Sequence, residues 1–245
     1  MEIVLAPEKI AHLGGLTITN TLTASCLVVA VLIFGALLVR RTGYSLESRF
    51  YNLIEMLVET FLTVIESVTH NKTVTRYFLP IIGTFFLFIV FNNWFGIFPG
   101  MGSIGFWEEH EGKKILVPFL RSANSDLNMT LAVALASVAF TQVAGIRFLS
   151  LRKFIKKYFN LKNPILFFVG LLEVISEIVK IFSFSFRLFG NIFAGEVLMI
   201  VILGLVPFLA PLPFMGIEMF AGFIQALVFA MLTLVFTSTN LAGEH

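Results

Sequence analysis

Between Glu173 and Glu196 the sequence sets five ionisable side chains into an otherwise apolar stretch: Glu173, Glu177, Lys180, Arg187 and Glu196. Ionisable groups at membrane depth are costly and by default mark a path for ions or protons. At 100° per residue, Glu173, Ser176, Glu177, Lys180, Ser183, Arg187 and Asn191 share a helical sector about 120° wide. Ala194, Gly195 and Leu198 continue it with mostly small side chains, which fits close approach to another helix. Glu196 falls on nearly the opposite face, about 13 Å beyond Arg187 along the axis. One helix therefore carries two polar lines, one on each side of the arginine. Arg187 never deprotonates and has no acid within four residues on its own face. A fixed structural partner is not encoded nearby, which favours a working cation over a structural one. Glu177 with Lys180, and Glu173, read equally well as a structural ion pair and an acid snorkelling to water.

A second apolar stretch supplies partners. Glu218 and Gln225 lie seven residues apart, with Ala221 and Gly222 between them. In an antiparallel hairpin Glu218 comes to the end where Glu196 sits, and Gln225 reaches toward the level of Arg187. Two carboxylates at one place repel if both ionise, so such a pair tends to share a proton.

The elements that hold these residues must be membrane helices. Of 245 residues 58% are hydrophobic and 13% charged, where a soluble domain carries about a quarter charged. The mean hydropathy of +0.93 agrees. A net charge of +2 gives no reason to expect nucleic acid as a partner. Cys26 is the single cysteine, and His12, His70, His110 and His245 lack metal-ligand spacing, so neither a disulfide framework nor a metal or cofactor site is expected. No nucleotide-binding glycine loop, nucleophile elbow or zinc motif occurs, which argues against an enzyme acting alone.

Spanning helices need roughly 20 apolar residues. The expected fold is all-α: five membrane-crossing helices, one amphipathic interfacial helix and a long tilted C-terminal hairpin in a single membrane domain, 1–245. Residues 1–40 form an N-terminal segment and first span. Its apolar core is too long for a signal peptide, and Arg40 and Arg41 follow rather than precede it. Residues 45–69 read as amphipathic, with Ser48, Asn52, Glu55, Glu59 and Glu66 on one face and Leu53, Ile54, Leu57, Phe61 and Ile65 on another. The acidic face points to packing on a neighbouring protein rather than on anionic lipid. Residues 77–98, ended by Pro99 and Gly100, and 127–146 are the second and third spans. From 164 to 206 nothing breaks a helix strongly. That length, about 64 Å, is twice the hydrocarbon thickness, so the helix must tilt, bend or be interrupted, with Gly190 and Gly195 as flex points. Pro207–Phe214 reads as a turn and 215–240 as the final helix.

Basic residues orient the chain. The connection from Arg40 to Arg76 holds five Lys/Arg, and Arg147–Lys162 holds six without an acid. The Pro99–Asp126 loop holds three, diluted by Glu108, Glu109, Glu111 and Asp126. The two basic connections are expected in the cytoplasm, with the N-terminus outside and the C-terminus inside.

SFSFRLFGNIFAGEVLM (Ser183–Met199) resembles the signature segment of the subunit a family of F-type ATP synthases, and FIQALVFAMLTLVFTS (Phe223–Ser238) looks like that family's last helix. FNNWFGIFPG (Phe91–Gly100) and SANSDLNMTLAVAL (Ser122–Leu135) resemble its second and third spans. The resemblance covers most of the chain in order. It implies that Arg187 faces a rotating ring of c subunits, attracts the ionised ring carboxylate and blocks direct passage between two half-channels. It implies that Glu196, Glu218 and Asn128, with Asp126 at the mouth, line the outer half-channel. Glu173, Ser176, Lys180 and Ser183 would border the cytoplasmic one, and Asn191 and Gln225 would flank the arginine. The implied partners are the c ring, peripheral-stalk b subunits, the other synthase subunits, the lipid bilayer and protons, with sodium left open. The implied location is a bacterial plasma membrane or an organellar equivalent. Many relatives pair an acid with a histidine where this chain has Glu196 and Glu218. A secondary transporter, with Arg187 gripping an anion, is the competing reading, but no internal repeat accompanies the single polar hairpin. A noncatalytic scaffold leaves the aligned polar stripe unexplained.

Overall fold

Long helices satisfy the backbone hydrogen bonds that a bilayer cannot, and the described residues hold six of them. A computed structural model of the chain describes residues 7–13, 16–42, 49–97, 104–110, 113–149, 154–155, 158, 164–206 and 209–242. Helix α1 is Asn20–Thr42, α2 Arg49–Thr69, α3 Lys72–Ile97, α4 Leu127–Leu149, α5 Pro164–Leu205 and α6 Pro211–Ala242. Side-chain oxygens start two of them. Thr19 Oγ1 accepts from the N–H of Leu22 at 3.3 Å, and Asn71 Oδ1 from that of Thr73 at 2.9 Å. The Asn71 cap explains why α3 begins at Lys72 rather than at Tyr77: apolarity locates the stretch that fits in lipid, whereas capping locates the end of the helix.

The chain is not wholly helical outside these elements. Strand β1 (Lys9–Leu13) pairs antiparallel with β2 (Leu16–Thr19), and β3 (Gly105–His110) with β4 (Lys113–Pro118). The first hairpin precedes α1 and the second lies between α3 and α4, both in stretches without a long apolar run. A 3-10 turn, Ala123–Ser125, precedes α4.

By length and composition α1, α3, α4 and α6 are each able to cross a membrane. The remaining expected crossing, fourth in chain order, corresponds to α5, the longest helix and the one that carries the ionisable stripe. It is continuous over 42 residues, about 63 Å if straight. Of tilt, bend and interruption, the last is therefore ruled out. Helix α6 begins at Pro211, inside the segment expected to be a turn. Proline lacks the N–H that a first turn leaves unpaired anyway, so Pro211 starts the helix instead of preventing it.

Helix α3 packs against α6, α2 and α1, while α4 packs against both α5 and α6. The shared core holds Phe61 and Ile65 of α2, Phe78, Ile82, Phe86 and Ile89 of α3, Phe184 and Leu188 of α5, and Phe229 and Leu234 of α6. On α2, Leu57 packs against this core but Leu53 and Met56 are exposed. Ser48 of the expected polar face lies outside the described residues. Hydroxyls tie the helices together as well: Thr130 to Ser185 at 3.0 Å, Ser137 to Thr233 at 2.7 Å and Thr141 to Thr237 at 2.9 Å.

Candidate functional site

Three contacts fix how the polar stripe of α5 meets α6. A Cβ placed on Gly195 would fall on the Glu218 carboxylate, 2.8 Å from its Cδ. Lys180 Nζ lies 4.8 Å from the centroid of the Phe236 ring. Phe184 packs on Phe229 and Phe236 at 5.0 and 5.7 Å between centroids. Interpolating between the first two contacts along this antiparallel pair sets Gln225 opposite roughly residues 188–191, close to the level of Arg187.

At one end the acids gather. Glu196 Oε2 accepts from Arg121 Nε at 3.0 Å and from Nη2 at 2.9 Å, with both side chains mostly buried. Glu218 sits beside this pair, over the gap left by Gly195. The sequence reading brought the two carboxylates together, but it counted Arg121 only among the loop charges. Nothing in the local spacing ties Arg121 to Glu196, 75 residues later. The 3-10 turn and α4 carry Arg121 there, anchored by a buried polar belt. Asn124 Nδ2 donates to Asn93 Oδ1 at 2.6 Å, Asn93 Nδ2 to the Gly222 carbonyl at 2.8 Å, and Ser122 Oγ to the Asn92 carbonyl at 3.1 Å. Trp94 Nε1 donates to the Met219 carbonyl at 3.0 Å, one residue from Glu218. Asp126 is buried and accepts from Thr21 Oγ1 at 3.0 Å and from the backbone N–H of Asn128 at 2.9 Å. Asn128 is exposed and meets Asp126 through its backbone N–H.

At the other end, Glu173, Ser176 and Lys180 line a cleft of about 560 Å³ together with Val169, Phe236, Thr239 and Asn240. Ser183 is exposed and is not among the lining residues. Lys180 Nζ pairs with Glu177 Oε1 at 2.7 Å, and Glu177 is 8% exposed with Oε2 unpartnered. No local pattern points to Phe236, Thr239 or Asn240, because their place in the cleft depends on the register of α6 against α5.

Arg187 lies between the two clusters, nine residues from Glu196 and seven from Lys180, about 13 and 10 Å along the axis. It is exposed, and among the described residues no carboxylate pairs with it. Asn191, one turn on, is half-buried. Gln225 Nε2 is buried without a hydrogen-bond partner. Around the guanidinium, α5 exposes Phe182, Phe186, Leu198 and Val201, with the small residues Gly190 and Ala194 between them. The arrangement sets one cation on an apolar surface, with no carboxylate partner among the described residues, between two separate groups of ionisable and polar side chains.

A family model described as ATP synthase A chain matches residues 22–238. The chain is 31% identical over 238 residues to the ATP synthase subunit a of Moorella thermoacetica, an overlap covering 97% of this chain and 98% of that relative.

Proposed function

This chain belongs to the ATP synthase A chain family, and on that premise we propose that it is the stator subunit of the membrane sector of a rotary ATP synthase. It is not catalytic alone: it moves protons, while ATP chemistry belongs to other subunits of the complex. Helix α5 is the fourth of five crossings, and its exposed face around Arg187 meets the c ring, with Gly190 and Ala194 permitting close approach.

A ring carboxylate facing lipid must be neutral and hence protonated. Beside Arg187 the ionised form is favoured, so the proton leaves. Glu196, Glu218 and Asp126, with Asn128, serve the outer half-channel, and Glu173, Ser176, Lys180 and Ser183 the cytoplasmic one. Asn191 and Gln225 flank the arginine. With the half-channels offset and Arg187 between them, a proton crosses only by riding the ring, and the ring turns. The membrane potential supplies about 2.3 kcal/mol per charge per 100 mV. Peripheral-stalk b subunits hold the chain still against the ring. The N-terminus lies outside and the C-terminus in the cytoplasm of a bacterial cell, or of the organellar equivalent.

The observation that carries this reading is the exposed, unpaired Arg187 midway between two separate polar clusters. A structural arginine at that depth needs a fixed partner. The test is Arg187→Ala in the whole complex, reconstituted in vesicles and scored for ATP-driven pumping and passive leak. Coupled pumping should vanish while assembly persists, and any added leak reports the half-channels joining. Pumping near the wild-type rate would make Arg187 structural and end the proposal.

A further inference from the structure

We propose that the ends of α3 and α4 nearest Lys72 and Arg147 bind an anionic phospholipid, its phosphate held at the basic end and one acyl chain laid in the groove between the two helices. The site uses none of the residues assigned to proton transfer. Only the choice of leaflet, the cytoplasmic one, rests on the proposed orientation.

Lys72, Arg76 and Arg147 are exposed at this end, and no carboxylate pairs with them among the described residues. The Arg147 guanidinium carbon lies 4.7 Å from the centroid of the Tyr77 ring, and that ring packs on Phe140 and Phe148 at 6.1 and 5.6 Å between centroids. A planar guanidinium held this way keeps its N–H fork for a phosphate, and tyrosine suits the membrane interface. Further into the span, Thr84, Phe85 and Phe88 of α3 and Ala132, Val133 and Ala136 of α4 line an apolar groove of about 270 Å³. One turn of helix 10 Å across occupies roughly 400 Å³, so the groove takes an alkyl chain rather than a helix. The hydroxyl of Thr84 is already donated to the Pro80 carbonyl at 2.6 Å and asks nothing of the occupant. The two parts are in line. Seven or eleven residues return to the same face of a helix, which puts Thr84 and Phe88 below Tyr77, and Ala136 below Arg147. Eleven residues rise about 16 Å, close to the hydrocarbon depth of one leaflet, about 15 Å. A positive-inside bias explains basic residues at this end, but not an apolar groove running beneath them. Basic pockets between membrane helices on the cytoplasmic side bind anionic headgroups.

The test places whole complexes in phosphatidylcholine bilayers with a trace of phosphatidylglycerol that carries a diazirine on one acyl chain. After irradiation, mass spectrometry reads the labelled residues, and co-purification of the other subunits checks assembly. Labels should fall on the groove residues of α3 and α4, and a diazirine phosphatidylcholine should label them at least about fivefold less. R76Q/R147Q should lower the phosphatidylglycerol label about twenty-five-fold, about fivefold per charge. R147K should keep most of it, and A136F should lower it by filling the groove. Inorganic phosphate at constant ionic strength should leave it unchanged. Equal labelling by the two lipids, or a label unaltered in R76Q/R147Q or in A136F, would overturn the site. Competition by inorganic phosphate would assign the basic end to the free ion and overturn it as well. So would an unlabelled groove, with Ala136→Cys cross-linking to another subunit as the sign that a protein covers it. Should R76Q/R147Q fail to assemble, A136F and the comparison of the two lipids carry the test. The readout is labelling rather than flux, so failure here leaves the proposed function standing, and pumping by Arg187→Ala would leave this site standing.

Discussion

Arg187 and Glu218 owe their chemistry to what surrounds them rather than to their own titration alone. Arg187 is exposed and pairs with no acid among the described residues, so under the proposed function its charge serves a partner that comes and goes. Glu218 is placed by an absence, the missing side chain of Gly195. Gly195→Ala puts a methyl where the Glu218 carboxylate now lies, so the acid must swing away. The expected result is an assembled complex whose ATP-driven pumping falls about tenfold, because an ångström-scale misplacement at a reacting group can cost up to a hundredfold. Gly190→Ala is the matched control. Its Cβ meets nothing within 4 Å inside the subunit, so an effect there would report on the ring instead. If Gly195→Ala pumps normally, Glu218 does not work from this position.

At the scale of elements, packing and hydrogen bonding contribute unequally. Between helices in lipid, interhelical hydrogen bonds average only about 0.6 kcal/mol, while dispersion contacts carry much of the association. Thr237→Val should therefore shift the detergent unfolding midpoint little, although Thr237 bonds Thr141 at 2.9 Å. Phe229→Ala should lower it clearly, by the equivalent of about 2 kcal/mol, since this 1%-exposed ring packs on Phe85 and Phe184. Equal effects would mean that polar ties dominate. The connection between α4 and α5 offers a separate check. Tyr158 Oη donates to Gln142 Oε1 at 3.0 Å, and its phenol is pushed from 10.0 to about 12 by burial first and by Glu177 and then Glu173, against that hydrogen bond. The folded value exceeds the unfolded one, so the stability involved is intact below pH 10 and is lost as pH rises through about 12. Tyr158→Phe should flatten the stability profile in that window; an unchanged profile would assign the alkaline loss to other groups.

At the scale of the whole molecule, the face of α5 around Arg187 is exposed, and under the proposed function it is the face that meets the ring. The chain's proposed orientation follows from charge, since Arg147–Lys162 holds six basic residues and no acid. In a Cys26→Ser background, Lys157→Cys should react with a membrane-impermeant maleimide only from the cytoplasmic side. Reaction from the outer side alone would invert the topology and exchange the two half-channels.

Membrane residence, the apolar stretches, the lone arginine and the polar stripe were legible in the sequence because each depends on residue type and helical period, which are local properties. The family was legible too, through RLFGN followed at a distance by the QA pair. The hairpins and the starts of α3 and α6 were not, because capping and turn chemistry are invisible to a search for apolar runs. Tertiary structure alone decided that Arg121 grips Glu196, that Glu218 lies over Gly195, and that Phe236, Thr239 and Asn240 join Glu173, Ser176 and Lys180 around one cleft. It also joined Asn128 to Asp126 through a backbone hydrogen bond. The first three join residues tens of positions apart, and only the register of packed helices determines which side chains meet.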